Sequence, residues 1–177
     1  MKFFTAELLE RYNSDDAATA SAADAEWEAA NERYVQHLRA LEPELPEHLR
    51  AFNALLLHDA FVQALARNGH QLIMVLKKDI PPRDLVILCY DLVDEPILVP
   101  FARSPGDWQN LTRFDFDEFD RIQEGEDRVY TQAIVFVNGW ELRLRFRDVQ
   151  VMLAEPWIPA NGKATAPLSP PAASRMA

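Results

Sequence analysis

Apolar and polar residues alternate along most of the chain after residue 57, a pattern typical of half-buried β-strands. The clearest element is a pair of long runs on either side of Asn138-Gly139, a dipeptide that favours the tight turn of a β-hairpin. In the second run, three apolar residues alternate with three arginines, which predicts an antiparallel strand with one buried face and one basic face. These residues are Leu142, Leu144 and Phe146 on the buried face and Arg143, Arg145 and Arg147 on the basic face.

Shorter apolar runs predict further strands, namely HQLIMVL, DLVILCYDL and PILVPF. The second is apolar at almost every position, so we expect it to be buried on both faces. Residues 60–67 leave two interpretations open. Their Leu, Ala and Gln content favours a helix that continues through Ala66, whereas the turn signal Asn68-Gly69 favours the first strand of a hairpin.

The region before residue 58 has the apolar spacing of helices. Thr5 is a suitable N-cap for a short first helix, and apolar residues recur at helical spacing from Asp24 onward. The intervening NSDDAATASAAD is either a linker or the start of the second helix. EPELP ends that helix, and Pro46 suits the first turn of a third. The apolar positions are Leu8, Leu9 and Tyr12, then Trp27, Tyr34, Leu38 and Leu41, then Leu49, Phe52 and Leu56.

Helices followed by antiparallel strands predict an α+β fold, with about three N-terminal helices packed on an antiparallel sheet of five or six strands. We expect one domain over residues 1–157, helical over 1–57 and mainly β over 58–157. Residues 158–177 are rich in Pro, Ala and Ser, which predicts a disordered tail.

Composition narrows the class of protein. The 177 residues have a formal net charge of -10 and a pI of about 4.8, so we expect no binding to nucleic acid or to anionic membranes. No apolar stretch approaches the roughly 20 residues of a membrane span, and the N-terminus lacks the apolar run of a signal peptide. The single cysteine, Cys89, excludes an internal disulfide and is expected to be a buried, unreactive thiol. These features predict a cytoplasmic protein.

The stretch RFDFDEFDRIQEGED, residues 113–127, is unusually acidic. A calcium-binding loop is excluded because Asp115, Asp117 and Asp120 lack the required register, no glycine lies between them, and Gly125 comes too late. Phenylalanines alternate with aspartates at its start, and three later apolar residues have the spacing of one face of a short helical turn. These three are Phe116, Phe119 and Ile122.

Two interpretations stay open for the carboxylates of this stretch. They form either a solvated rim or an acidic surface that binds a basic protein partner, because surface carboxylates steer association and set specificity. Trp108, which precedes the stretch, is either an anchor for that partner or a cap on the core. The candidate partner-binding residues are Trp108, Asp115, Asp117, Glu118 and Asp120.

Candidate catalytic and metal-binding residues are few. His58 and Asp59 are adjacent, and neighbouring residues point to opposite faces of a strand or about 100° apart on a helix, so we interpret them as a structural polar pair and not a dyad. The four histidines form no zinc motif, and the five glycines form no phosphate-binding or nucleophile motif, so no metal or cofactor is expected. The arginine row is expected to pair with acids such as Asp115 and Asp117.

Segments spread over residues 1–153 together resemble a family of small bacterial proteins known only as a domain of unknown function. They are MKFFTAELLERYN, LHDAFVQALARNGHQLIMVL, RFDFDEFDRI and IVFVNGWELRLRFRDVQV. Family members begin M-[KR]-[FY]-F-T, carry L-H-D-A ahead of a hairpin, and have a tyrosine where this chain has Phe116. The resemblance implies that residues 60–67 form the first strand of a hairpin and that Asp117-Glu118 belongs to the family pattern. It implies no activity.

The absence of catalytic motifs and the acidic charge favour a non-enzymatic binding module with a basic protein as partner, by analogy with immunity proteins of bacterial toxin systems. Two alternatives stay open. An apolar pocket near Trp108 and Trp140 would make the protein a small-molecule-binding module. Carboxylates or His58, acting in a pocket, would make it a hydrolase.

Overall fold

A computed structural model describes residues 1–79, 84–102, 105–107, 113–125 and 127–154. Within these residues three helices precede the strands, which confirms the predicted α+β fold, and the antiparallel sheet has seven strands. The helices are α1 (Ala6–Tyr12), α2 (Ala17–Leu41) and α3 (Glu47–Asn53), with a 3₁₀ turn at Glu42–Glu44. The strands are β1 (Phe61–Asn68), β2 (Gln71–Lys77), β3 (Leu85–Leu92), β4 (Ile97–Pro100), β5 (Phe114–Glu124), β6 (Asp127–Phe136) and β7 (Trp140–Ala154).

The helix boundaries follow local capping. The hydroxyl of Thr5 accepts a hydrogen bond from the backbone N–H of Leu8 at 3.2 Å, as expected of an N-cap. Asp16 caps α2 in the same way through the N–H of Thr19, at 2.9 Å. The alanine-rich segment is therefore the start of a 25-residue helix and not a linker. Among the described helices, none has an apolar stretch long enough to cross a membrane.

The sheet order is β1-β2-β3-β7-β6-β5, and β4 pairs with the first residues of β7 beside β3. Residues 61–68 are a strand, so the turn signal prevailed over helix propensity. Gly69 has a φ of +59°, a conformation that side chains larger than glycine rarely adopt. Backbone hydrogen bonds of 2.9 Å join Asp59 to Phe114 and Phe114 to Ala60, so the two edges of the sheet meet at one end.

The main core lies between α3 and one face of the sheet, called the inner face here. Phe52 of α3 makes edge contacts with the rings of Tyr90 and Phe146, and burying such rings is the largest stabilising contribution available to a domain of this size. The apolar row of β7 is buried as predicted. The prediction for β3 is wrong, because only its inner face is buried. Cys89 on the other face is half-buried.

A second, smaller cluster lies where α1 and α2 pack against the edge strand β5. Its buried residues include Phe4 and Leu8, and Trp27, Tyr34 and Phe116 pack against them. The C-terminal half of α2 contributes Leu38 and Leu41 to the main core instead. Helix α2 thus runs along β5 and joins the two clusters.

Candidate functional site

The acidic stretch forms β5, the last strand of the sheet. The predicted helical turn is therefore wrong. A bulge between Phe114 and Phe116 shifts the pairing with β6 by one residue. Beyond the bulge, alternate residues face opposite sides: Phe116 joins the second cluster, and Phe119 joins the main core. The carboxylates of β5 are therefore divided between two environments.

Glu118 lies inside the protein, with 8% of its surface exposed. Its carboxylate accepts hydrogen bonds from the backbone N–H groups of Lys2 at 2.6 Å and of Phe3 and Phe4 at 2.7 Å each. Charge-assisted bonds of this length are among the stronger ones in proteins. Glu118 thus holds the N-terminal segment against β5, a role that no local sequence signal indicates.

Asp120 is half-buried, and its carboxylate already has hydrogen-bond partners within the protein. Its carboxylate lies 3.0 Å from Nε2 of His37 and accepts the N–H of Arg121 at 2.7 Å. The ammonium of Lys2 is 4.0 Å away. Trp108 is the member of the predicted acidic interface that does not belong to β5. It lies outside the described residues.

A cleft of about 540 Å³ opens at the edge of β5, between the first two helices and the segment before β1. It brings together three of the residues singled out in the sequence: Asp115, Asp117 and His58. Its other side chains are mainly aromatic or aliphatic, and the described lining includes no Lys or Arg. The aromatic residues that line it are Phe4, Tyr12, Trp27, Tyr34 and Phe116.

Trp27 organises the aromatic wall of this cleft. Its ring centroid lies 4.8 Å from that of Phe4, 5.4 Å from that of Tyr12 and 5.2 Å from that of Phe116. The contact with Phe116 is perpendicular, an arrangement that aromatic pairs favour. The wall is therefore a set of aromatic rings in contact with one another. They come from the N-terminal segment, from α1 and α2, and from β5.

Asp117 lies at the inner edge of the cleft. Its Oδ2 accepts a hydrogen bond from Nε2 of Gln132 at 2.7 Å, and Oε1 of Gln132 accepts one from the Tyr90 hydroxyl, also at 2.7 Å. Gln132 and Tyr90 are buried, so this chain fixes the orientation of the carboxylate. No described residue donates a hydrogen bond to Oδ1 of Asp117. Burial, with a smaller contribution from the charge of Glu118, raises the pKa of Asp117 to about 6 despite the bond from Gln132.

His58 and Asp115 form the outer rim of the cleft. Nδ1 of His58 is hydrogen-bonded to the backbone oxygen of Asp115, and Nε2 lies 3.1 Å from Oδ2 of Asp59. The side chains of His58 and Asp59 meet because Asp59 has a φ of +63°, which neither a strand nor a helix provides. The assumption that they point apart is therefore wrong. Burial also raises the pKa of Asp115, and His58 opposes that shift.

Tyr34 seals the exposed edge of β5 beside the cleft. Its hydroxyl oxygen accepts the backbone N–H of Phe119 at 2.7 Å, a group that has no strand partner on that side. Burial raises the pKa of Tyr34, so its hydroxyl stays neutral.

We expect Tyr34→Phe to lower the free energy of unfolding by about 1–2 kcal/mol, because it leaves the N–H of Phe119 without an acceptor. Urea denaturation measures the change. The matched control is Tyr12→Phe, since Tyr12 is 42% exposed at the cleft mouth. An equal effect of the two substitutions would contradict the assigned bond.

The arginines of β7 do not pair with Asp115 and Asp117, so that prediction is wrong. Arg143 makes two hydrogen bonds of 2.9 Å to the carboxylate of Glu141. Arg145 is paired with Asp94 and with Glu124, the latter at 2.5 Å. Except for Glu124, these residues line a second cleft of about 430 Å³ on the outer face of the sheet. Its charges are thus largely neutralised within the protein.

The described part of the chain contains no candidate metal centre. No group of three or more His, Cys, Asp or Glu side chains there is arranged to hold a metal ion. Trp140 donates a hydrogen bond from Nε1 to the backbone oxygen of Gly106 at 2.7 Å and lines neither of the two clefts. The aromatic cleft is therefore not the pocket expected beside Trp140, and Trp108 lies outside the described residues. The aromatic residues of the cleft come mainly from the N-terminal helices.

No protein-family model matches the chain, and a search of the curated proteins finds no match. The resemblance to a bacterial family of unknown function stays a prediction, and the functional argument depends on the geometry of the clefts.

Proposed function

We propose that the protein is a binding module that takes an organic cation, an ammonium group on a small molecule, into the aromatic cleft. The observation that carries the proposal is the position of Asp117, a half-buried carboxylate with one oxygen bonded to Gln132 and the other without a described donor. A carboxylate that is partly removed from water and has no counter-charge beside it is less stable in its ionised form, and a bound cation offsets that loss.

The walls of the cleft suit the same ligand. Trp27, Tyr34 and the phenylalanines present ring surfaces on which a cation is attracted by the negative face of the π system. Lys and Arg, which would repel a cation, are missing from the described lining. The volume of about 540 Å³ lies in the range of small-molecule sites, about 300–1,000 Å³.

The geometry favours binding over hydrolysis. Both ring nitrogens of His58 have acceptor groups beside them, the backbone oxygen of Asp115 at Nδ1 and the carboxylate of Asp59 at Nε2, an arrangement that favours a structural role. Asp117 is held by a buried amide and not by a second titrating group that would share a proton with it. An oriented carboxylate, that of Asp117, among aromatic rings is an arrangement for recognition.

The acidic-surface hypothesis for a basic protein partner has less support. Among its described residues, Glu118 is buried under three backbone bonds and Asp120 is bonded to His37 and to backbone. Asp115 and Asp117 line the cleft instead of a flat surface. An immunity-type role stays a prediction.

Calorimetric titration with choline and with 3,3-dimethylbutan-1-ol, its uncharged analogue of the same shape, tests the proposal. At pH 8 we expect choline to bind at least tenfold more tightly, because only the cation neutralises Asp117 and interacts with the ring faces. n-Butylammonium tests whether a primary ammonium is accepted as well. Equal affinity for choline and the neutral alcohol, or no binding of either ammonium ion, would refute the cation site.

Asp117→Asn is expected to weaken ammonium binding by at least tenfold, since it removes the charge and preserves the shape of the side chain. Asp127→Asn is the control, because it removes one charge from an exposed position at the start of β6. In the wild type, affinity should fall as the pH drops below about 6, where Asp117 becomes protonated. The same affinity in both variants would show that Asp117 is not part of the site.

A further inference from the structure

A small cavity lies directly behind the aromatic cleft, between α2, residues 52–57 and the inner face of the sheet. This inner cavity has a volume of about 90 Å³. The inner cavity and the cleft border on each other, because some residues line both. The shared residues are Tyr34, Leu55, Leu57 and Asp117. Asp117 therefore lies at the boundary between the two spaces.

The polar side chains of the inner cavity supply oxygen acceptors. Besides Asp117, they include Gln132 and Asn53. The side-chain oxygen of Gln132 accepts one described hydrogen bond, from the hydroxyl of Tyr90, and a carbonyl oxygen can accept two. Asn53 is half-buried, and no described residue is hydrogen-bonded to its side-chain amide. Among the described residues that line the inner cavity there is no Lys, Arg or His, so these acceptors have no cation of the protein beside them.

The size of the inner cavity and its acceptors both favour a primary ammonium head. Such a head has three N–H donors, and carboxylate and amide oxygens accept charge-assisted bonds from them. It is similar in size to a water molecule, which takes about 30 Å³ in the liquid, so the cavity has room for the head and the carbon next to it. A trimethylammonium head carries methyl groups in place of the hydrogens. It is therefore larger, and it leaves the acceptors without donors.

We propose that the ligand is a primary arylalkyl amine, with its ammonium head in the inner cavity beside Asp117 and its aromatic body in the cleft. This inference rests on the proposed cation site and adds the class of ligand. The rings of Phe4, Trp27 and Phe116 pack against the body. Asn53, the last residue of α3, is then a specificity-determining residue, because only a head with N–H donors can use its oxygen.

Calorimetric titration of the wild-type protein with two ions of equal charge tests the ligand class. The probes are 2-phenylethylammonium and its N,N,N-trimethyl derivative, which share one aromatic body. At pH 8, where the primary amine is still protonated, we expect the primary ion to bind at least tenfold more tightly. In the aromatic cleft alone the trimethyl ion would bind at least as tightly, because it loses less hydration and also interacts with the ring faces.

Asn53→Ala is expected to weaken binding of the primary ion at least fivefold and to leave the affinity for the trimethyl ion within a factor of two of the wild type. Asn31→Ala is the matched control. Asn31 is an exposed residue of α2 that lines the outer cleft but not the inner cavity, so this variant should keep the wild-type ratio of the two affinities. Equal losses for both ions in Asn53→Ala would contradict the role assigned to Asn53.

The outcomes separate this inference from the proposed function. Equal or tighter binding of the trimethyl ion would overturn the primary-amine assignment and leave the cation site in place, with the inner cavity holding only solvent. Binding of neither ion would overturn the cation site and this inference with it. A preference for the primary ion that disappears in Asn53→Ala, and persists in Asn31→Ala, supports both.

Discussion

Replacing Glu118 by Ala is expected to lower the free energy of unfolding by about 3–5 kcal/mol, a large part of the stability of a domain of this size. Three backbone N–H groups, those of Lys2, Phe3 and Phe4, lose a charged acceptor at once. Water cannot replace the carboxylate fully, because Phe4 and Glu118 are both buried. Urea denaturation monitored by tryptophan fluorescence measures the loss.

The effect of Glu118→Ala should extend to the second cluster. Phe4 packs on Trp27 and Phe116, so release of the N-terminal segment also removes one wall of the aromatic cleft. Glu124→Ala is the matched control, because Glu124 lies on the same strand, is 45% exposed and makes only a surface pair with Arg145. Such pairs contribute at most about 1 kcal/mol. Similar losses for the two variants would contradict the structural role assigned to Glu118.

Replacing Asp117 by Asn is expected to raise the free energy of unfolding at pH 8, by at most about 3 kcal/mol. The pKa of Asp117 is about 6 in the folded protein, above the ordinary value of 3.8. The folded state therefore binds this proton more tightly than the unfolded state does. The stability associated with the bound proton is present below about pH 4 and is lost as the pH rises to about 6. Asparagine stays neutral and does not suffer this loss.

The difference in stability between Asp117→Asn and the wild type should consequently be largest above pH 6 and should shrink as the pH falls toward 4. Thermal or urea denaturation at several pH values measures it, and subtraction of the wild-type curve removes the contribution of the other carboxyl groups. Asp127→Asn should give a small difference at every pH, because its side chain is exposed. A destabilised Asp117→Asn variant at pH 8 would refute the assigned ionisation.

The two carboxylates are neighbours in sequence but are expected to have opposite effects on stability. Glu118 is buried with three donors around it, whereas Asp117 has a single described donor, Gln132. A residue that costs stability at neutral pH and gains by binding a counter-charge is typical of a functional site. This contrast supports the aromatic cleft, and not the whole acidic stretch, as the site of binding.

Several features of the fold could be predicted because their causes are local. The N-cap at Thr5, the hairpin at Asn138-Gly139 and the buried row of β7 each depend on residues a few positions apart. The order of helices and strands likewise follows from periodicity along the chain. Residues 60–67 show the limit of this reasoning, since propensity and turn signal disagreed and pairing with β2 decided in favour of a strand.

The acidic stretch could be recognised as unusual but not interpreted from its own residues. Its helical spacing was overridden by ten cross-strand pairs with β6, which is the usual outcome when tertiary pairing competes with a short local pattern. The expected partners of the β7 arginines were wrong for a related reason. Which acids lie near Arg143 and Arg145 depends on strand order, and strand order is not encoded in spacing along one strand.

By itself, the sequence determined the α+β class, the N-cap of the first helix, the alternation of β7 and a set of residues that includes His58, Asp115 and Asp117. Only the tertiary structure decided which of these meet. It placed Glu118 against backbone more than 110 residues away and connected Asp117 to Tyr90 through Gln132. The physical reason is that the ionisation and bonding of a carboxylate depend on burial and on neighbours in space, which local periodicity does not specify.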